Sequence, residues 1–151
     1  AVGRIKAPYA RDGCEAFLTR LRRFSKVEHI EIRDVRRGRS GQVSAWKQAE
    51  GEALLKHVPR GAYMVALHER GKQWKSAELA QWIERQQTSG VSSIAFLLGG
   101  PDGHSDQLLS KVDRAWSLGK LTLPHELARL VLAEQLYRAV SMLAGHPYHR
   151  E

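Results

Sequence analysis

The sequence predicts an α/β fold, a mostly parallel sheet flanked by helices. Two short and nearly continuous apolar runs, AYMVAL (62–67) and SSIAFLLGG (92–100), are typical of strands that are buried on both faces. Between them, residues 76–87 carry apolar side chains at helical spacing. Because strand and helix alternate, the strands are expected to be parallel and joined by crossover helices. The length of 151 residues and the apolar fraction of 42% predict one domain, residues 1–151.

Spacing and turn signals predict the remaining elements in chain order. They are a helix over 12–24 capped by Asp12, a strand over 27–32, a helix over 43–57, a helix capped by Ser76, a helix near 105–114, a short apolar segment over 115–118, and a long helix over 124–144.

The predicted helix over 124–144 carries more apolar residues than one sheet face requires. Leu132, Leu136 and Leu143 lie in one row, and Leu127 and Val131 lie in another. A helix that is apolar over most of its girth is either deeply buried or part of a subunit interface. In so small a chain the interface is favoured, and the sequence therefore predicts a homodimer.

Positive charge is concentrated in the first part of the chain. The net charge is +8, of which residues 1–60 supply +7. The clusters RLRRFSK (20–26) and RDVRRGRSG (33–41) have the composition of a surface that docks on a phosphate backbone. Arg36, Arg37 and Arg39 are therefore candidate RNA contacts, the alternative being basic loops that only keep the protein in solution.

Several classes of protein are disfavoured by composition. No apolar run approaches the roughly 18 residues that a membrane span needs, so no membrane partner is expected. The single Cys14 excludes an internal disulfide and fits a reducing cytoplasm. The histidines are not spaced like a metal site, and no metal is predicted.

Three segments that follow predicted strands are candidates for a ligand site, because open parallel sheets bind ligands at the carboxyl ends of their strands. They are LHERGK (67–72), LLGGPDG (97–103) and SLGKLTLP (117–124). Gly99 and Gly100 lack a Cβ, so a ligand could approach their backbone closely, although Pro-Asp-Gly is also ordinary turn chemistry. The segment is neither a Walker loop nor a GxGxxG fingerprint, which disfavours ATP and NAD.

The third segment has the composition of an adenine site. Leu118, Leu121 and Leu123 alternate with Gly119 and Thr122 just before a helix. Apolar walls with exposed backbone groups suit a flat adenine ring.

In their order and spacing, these motifs resemble the RlmH family of bacterial ribosomal RNA methyltransferases. The resemblance rests on LLGGPDG, AWSLGKLTLPHELARLVLAEQLYRA and the terminal GHPYHRE, covers essentially the whole chain and is densest over 96–151. One departure is Leu67-His68, where the family usually has Leu-Asp.

The resemblance implies a SPOUT-class fold with a C-terminal trefoil knot, and a dimer. It implies transfer of a methyl group from S-adenosylmethionine to N3 of a pseudouridine in large-subunit ribosomal RNA, on the assembled ribosome in the cytoplasm. The cofactor-binding residues that it implies, together with the loops above, are Leu67, Gly99, Gly100, Gly119, Lys120, Leu121, Thr122, Leu123 and Pro124.

In the family's arrangement the C-terminal tail lies beside the methyl donor, which makes Tyr148, His149 and Arg150 candidate catalytic residues. His149 could accept the imide proton, Arg150 could hold phosphate or the imide anion, and Tyr148 could stack on the base. Two alternatives remain at this point. One is another SPOUT enzyme acting on a different RNA, and the other is a non-catalytic ribosome-binding factor that uses the basic half alone.

Overall fold

A computed structural model of the chain describes residues 1–35 and 42–148. The predicted RNA contacts Arg36, Arg37 and Arg39, and the tail residues His149 and Arg150, lie outside the described residues. Within the described ranges the elements are α1 (Pro8–Leu21), α2 (Val43–Leu55), β1 (Tyr63–Gln73), α3 (Ser76–Thr88), β2 (Ile94–Leu97), α4 (Asp106–Leu109), β3 (Arg114–Ser117) and α5 (His125–Leu143).

The three strands form a parallel sheet in the order β2-β1-β3, which confirms the predicted α/β class. Val65 of β1 lies in a core with residues of α3 and α5, whereas the neighbouring Ala66 lies in a core with residues of α2 and α4. Successive side chains of a strand point to opposite faces, so helices cover both faces of the sheet. The result is a three-layer arrangement with the carboxyl edge of the sheet left to loops.

Two predicted elements are shorter in the structure. The strand predicted over 92–100 ends at Leu97 because the chain turns at Gly100, whose carbonyl accepts a hydrogen bond from the N–H of Gly103 at 2.9 Å. The helix predicted near 105–114 is confined to α4, since Asp113 joins the sheet instead. The Asp113 carboxylate accepts from the N–H of Met64 at 2.7 Å, and its own N–H donates to the Met64 carbonyl at 3.0 Å.

The predicted strand over 27–32 was wrong. Only Ile32 pairs there, in an isolated bridge with Val2. The N–H of Val2 donates to the Leu98 carbonyl at 3.0 Å, and the N–H of Gly3 donates to the Ile32 carbonyl at 2.8 Å. Gly3 then adopts a positive φ of 78°, which ends the extended run of the N-terminal segment, so the parallel pairing does not continue beyond Ile32.

The predicted caps of two helices were also wrong. Asp12 lies inside α1, which begins at Pro8, and the Glu126 carboxylate accepts from the backbone N–H groups of Lys6 at 3.0 Å and Ala7 at 2.8 Å. These hydrogen bonds lower the pKa of Glu126. Ser76 is the first residue of α3 rather than its cap, and its hydroxyl donates to Gln135 Oε1 at 2.6 Å. At α1 a distant residue of α5 binds the backbone at the helix start, whereas at α3 the cap is local, because the Glu78 carboxylate accepts from the N–H of Lys75 at 2.7 Å.

Helix α5 buries apolar side chains on two sides within the protomer. Ala133 packs with Leu18 and Leu21 of α1, while Leu132 and Ala139 pack in the core that includes α3. The wide apolar arc that predicted a subunit interface is therefore largely covered by the chain itself. A charge at Leu132, which is 7% exposed, would disrupt the protomer and so could not test a dimer.

Arg129 of α5 is buried and ties this helix to the N-terminal segment. Its guanidinium donates to the carbonyl of Val2, to the carbonyl of Gly3 at 2.8 Å and to Glu31 Oε1 at 3.1 Å. Burial lowers the pKa of Arg129 from its ordinary value, and the carbonyls and carboxylate compensate the buried charge.

Candidate active site

Two of the three candidate segments lie at one edge of the sheet, because residues 98–103 follow β2 and residues 118–124 follow β3. The prediction of a loop at 67–72 was wrong, since β1 continues to Gln73 and both Leu67 and Lys72 are register partners of Trp116, with an irregularity between them. The side chain of His104 joins β2 to β1, because its Nε2 lies 3.2 Å from the Leu97 carbonyl and the ring also contacts the Leu67 carbonyl. Sequence reasoning did not single out this histidine.

The glycine pair Gly99-Gly100 serves the tight turn. A Cβ on Gly99 would lie 2.8 Å from the carbonyl carbon of Gly103, and one on Gly100 would lie 2.8 Å from Glu50 Oε2. Protein atoms, rather than an open space for a ligand, fill both positions. A bulky residue at Gly100 is therefore expected to disturb the protomer, and it would not report on cofactor binding alone.

The loop after β3 has open space and an exposed apolar side chain, both of which the glycine turn lacks. The Ser117 hydroxyl donates to the Gly119 carbonyl at 2.9 Å and accepts from the Gly119 N–H at 3.3 Å, which fixes the start of the loop. No heavy atom lies within 4 Å of the position that a Gly119 Cβ would occupy. The Leu121 side chain is 82% exposed, while Leu123 is half-buried. Open space beside an uncovered apolar side chain fits the adenosine of a nucleoside cofactor.

Three further predicted site residues share this loop. Lys120, Thr122 and Pro124 are exposed, and Pro124 immediately precedes α5. The Pro124 carbonyl accepts from the N–H of Ala128 at 2.9 Å, so this residue is committed to the start of α5.

His104 predicts an acid sensitivity of the fold. Burial lowers the pKa of His104 to about 4 from its ordinary value of 6.5, so an unfolded chain binds this proton first as the pH falls. Stability is therefore present above pH 6.5 and is lost as the pH falls toward 4. We expect the free energy of unfolding to be about 2 kcal/mol lower at pH 5 than at pH 7 on account of this group. Urea unfolding at both pH values measures the difference.

The control variant is His104→Gln, whose amide N–H can take the place of Nε2 as a donor to the Leu97 carbonyl but does not titrate. It is expected to lose most of the difference between pH 5 and pH 7. An unchanged difference in this variant would assign the acid sensitivity to other groups.

Tyr148 lies on the surface formed by α1 and α5. Its hydroxyl donates to Glu134 Oε1 at 3.3 Å, and its ring centroid lies 4.6 Å from that of Tyr137. The guanidinium of Arg138 lies 5.1 Å from the centroid of the same ring and is paired with Glu134 at 2.6 Å. Burial, together with the nearby Glu134, raises the pKa of Tyr148, so its phenol is protonated at neutral pH.

Within one protomer Tyr148 contacts α5 at a point well beyond Pro124, the last residue of the candidate cofactor loop. Its partner Glu134 is ten residues beyond Pro124 along α5, which corresponds to about 15 Å of helix rise. Sequence reasoning did not identify Glu134 or Arg138 as partners of the tail, although their i,i+4 spacing on a helix is a signal for an ion pair.

Two classes of interaction receive no support from the described part of the chain. It contains no group of three or more His, Cys, Asp or Glu side chains that could hold a metal ion. None of its helices has the length and apolar character to cross a bilayer.

A parallel α/β sheet with an open loop at its carboxyl edge is the arrangement with which α/β proteins bind ligands, and it places this protein in the class of α/β ligand-binding proteins. Comparison with known proteins narrows the class. The chain belongs to the SPOUT methyltransferase family, whose model, described as "Predicted SPOUT methyltransferase", matches residues 1–149. The fold is accordingly of the SPOUT type, for which a C-terminal trefoil knot is implied.

Relatives from distant bacteria match over nearly the full length. A protein of Deinococcus radiodurans named "Ribosomal RNA large subunit methyltransferase H" is 44% identical over 149 residues, which cover 99% of this chain and 94% of the relative. Proteins of the same name from Hahella chejuensis and Rubrobacter xylanophilus are 42% and 44% identical over 151 residues, covering 96% and 94% of the relatives and 100% and 99% of this chain.

Proposed function

We propose that this protein transfers a methyl group from S-adenosylmethionine to N3 of a pseudouridine in large-subunit ribosomal RNA. It acts in the cytoplasm on the assembled ribosome, as one catalytic domain over residues 1–151. The family membership supports methyl transfer, and the names of the relatives support the ribosomal substrate. The observation that carries the proposal is the open loop 118–124 at the carboxyl edge of the sheet, with Leu121 uncovered.

Leu67 and the loop residues Gly119 to Pro124 would hold the adenosine part of the cofactor. Leu121 and Leu123 supply apolar contact, and the backbone of the loop supplies donors and acceptors. Gly99 and Gly100 contribute by shaping the turn next to the loop. When bound, S-adenosylmethionine supplies an electrophilic methyl group on a sulfonium centre.

The C-terminal tail positions and deprotonates the base. The imide nitrogen must lose its proton, and His149 is the candidate acceptor. Arg150 holds phosphate or the developing imide anion. Tyr148, whose pKa is raised, stays protonated and therefore stacks or donates a hydrogen bond rather than acting as the base.

A homodimer would bring the C-terminal tail of one subunit next to the cofactor loop of the other. Because Tyr148 packs on α5 about 15 Å of helix rise away from Pro124, the tail of one subunit completes the site of its partner. The partly exposed Leu143 and the Glu134–Arg138–Tyr148 cluster then belong to the surface that approaches the partner.

The test uses ribosomes from a bacterial strain that lacks this methylation. Isothermal calorimetry measures S-adenosylmethionine binding, and mass spectrometry of the treated ribosomal RNA maps the modified nucleotide. One added methyl group at N3 of a pseudouridine in the large-subunit RNA is the expected result. A methyl group on another nucleotide would indicate a different RNA methyltransferase, and absence of cofactor binding would indicate a ribosome-binding factor without catalysis.

A further inference from the structure

A polar cleft of about 800 Å³ lies beside the candidate active site. Its walls come from the N-terminal segment, from residues 31–35, from Pro101 in the glycine turn and from the start of α5. Its titratable lining residues are the bases Arg4, Lys6, Arg33 and His125 and the acids Glu31, Asp34 and Glu126. Ligand pockets occupy about 300–1,000 Å³, so a nucleotide-sized segment fits.

The acids of this cleft are largely committed to the protein itself. Glu126 accepts the N–H groups of Lys6 and Ala7 at 3.0 and 2.8 Å. Glu31 accepts the N–H of Ile5 at 2.9 Å and pairs with the buried Arg129 at 3.1 Å. These contacts join the walls of the cleft and occupy oxygens of Glu31 and Glu126. Asp34 is the remaining acidic residue of the lining.

The bases are uncommitted by comparison. Arg4, Lys6 and Arg33 are exposed, and within residues 1–35 and 42–148 none of them forms an ion pair. Exposed guanidinium groups without a carboxylate partner are suited to bidentate contacts with phosphate. Because Arg129 neutralises Glu31, the three cations Arg4, Lys6 and Arg33 are opposed by two carboxylates, Asp34 and Glu126, so the cleft has a small net positive charge and, among the described residues, two unpaired guanidinium groups.

The position of the cleft indicates which anion it receives. Pro101 belongs to the loop 97–103 and His125 directly follows Pro124, so the cleft includes a wall from one candidate loop and adjoins the end of another. We infer that the cleft binds the sugar–phosphate backbone of the substrate RNA next to the target nucleotide, with Arg4 and Arg33 as its phosphate contacts. This inference rests on the proposed function and assigns an RNA subsite within it.

The double variant Arg4→Glu/Arg33→Glu tests the inference. We expect its Kd for unmethylated ribosomes to rise at least tenfold. We also expect the slope of log K against log salt to fall by about two, or roughly one for each phosphate that the variant no longer binds. Its affinity for S-adenosylmethionine should stay within twofold of wild type. Filter binding over a series of salt concentrations and calorimetry give the two affinities.

The matched control is Arg60→Glu/Arg85→Glu, which makes the same charge change. Arg60 precedes β1 and Arg85 lies in the last turn of α3, so both lie toward the amino edge of the sheet, away from the cleft. This control should bind ribosomes with nearly the wild-type salt slope. If the charge-reversed cleft variant fails a urea-unfolding check, Arg4→Gln/Arg33→Gln is measured in its place.

Each outcome bears on one proposal or both. If the cleft variant binds ribosomes with the same affinity and salt slope as the control, the RNA subsite is overturned. In that case the proposed function still stands, provided that the wild-type protein methylates the same ribosomes. A wild-type protein that methylates no ribosomal RNA overturns the proposed function and the RNA subsite together.

Discussion

A protein truncated after Pro147 is expected to fold, to bind S-adenosylmethionine and to lose pseudouridine methylation by several orders of magnitude. The truncation removes Tyr148, His149, Arg150 and Glu151 but leaves the loop at 118–124 intact. A nucleophile that is no longer held in line with the methyl group forfeits most of the advantage of positioning. Single-turnover assays on ribosomes, with the cofactor saturating, measure the loss.

Two variants divide the roles within the tail. Truncation after Tyr148 keeps the ring contact with Tyr137 and the hydrogen bond to Glu134, so its stability should match wild type while its activity is lost. His149→Ala should mainly lower the rate constant, whereas Arg150→Ala should mainly raise the ribosome concentration required. If truncation after Pro147 left full activity, the tail would have no catalytic role.

Mixing two inactive variants separates a shared site from one contained in a single subunit. If the tail of one subunit completes the site of its partner, a heterodimer of the truncated chain and a loop variant such as Leu121→Asp contains one intact site. Activity should then return on mixing and refolding the two proteins together. No recovery, in mixtures shown by mass spectrometry to contain heterodimers, would place tail and loop of the same chain in one site.

The substitution Leu121→Asp is expected to weaken S-adenosylmethionine binding by about tenfold to a hundredfold. Burying a leucine side chain contributes about 1.5–3 kcal/mol, and the 82% exposure of Leu121 in the protomer leaves that contribution for the cofactor. The same exposure means that the protomer loses little packing, so the free energy of unfolding should change by less than about 0.5 kcal/mol. Calorimetric titration and urea unfolding measure the two effects.

Val43→Asp is the control for this substitution. Val43 is 48% exposed at the first position of α2, where an acidic side chain is tolerated near the helix N-terminus. It should leave cofactor affinity unchanged. Equal affinities in the Leu121 and Val43 variants would remove Leu121 from the cofactor site, and size-exclusion chromatography of both checks that dimerisation is not the cause.

Strong periodicity explains which parts of the fold the sequence predicted well. The helix predicted over 76–87 is observed as α3, and the one over 124–144 as α5, with bounds that differ by one residue. A strand needs a partner as well as an apolar pattern, and among the described residues the segment 27–32 forms a bridge only between Ile32 and Val2. The cap of α1 was missed because Glu126 reaches the start of that helix from a distant position in the chain, whereas at α3 the cap lies one residue earlier, at Lys75, whose N–H is bound by Glu78.

The candidate site remains a prediction, for which the sheet topology brings two of the predicted loops together. The rule that ligands bind at the carboxyl ends of parallel strands applies to Gly99 and Gly119 without knowledge of side-chain contacts, whereas Leu67 lies inside β1. The direction in which Gly100 would point a Cβ, the buried place of His104 and the distance of Tyr148 from Pro124 depend on tertiary packing. No local pattern contains that information.

The contacts of Arg129 also constrain the order in which the chain can fold during synthesis. Its guanidinium binds the carbonyls of Val2 and Gly3, which precede it by 127 and 126 residues, so these hydrogen bonds can form only after α5 has been synthesised. Val2 and Ile32 pack with Leu54, Leu97 and Leu108, which all precede α5, so this apolar cluster can form before Arg129 closes over it. Pairings of such high sequence separation slow folding, because the entropy of loop closure must be overcome before the contacts form.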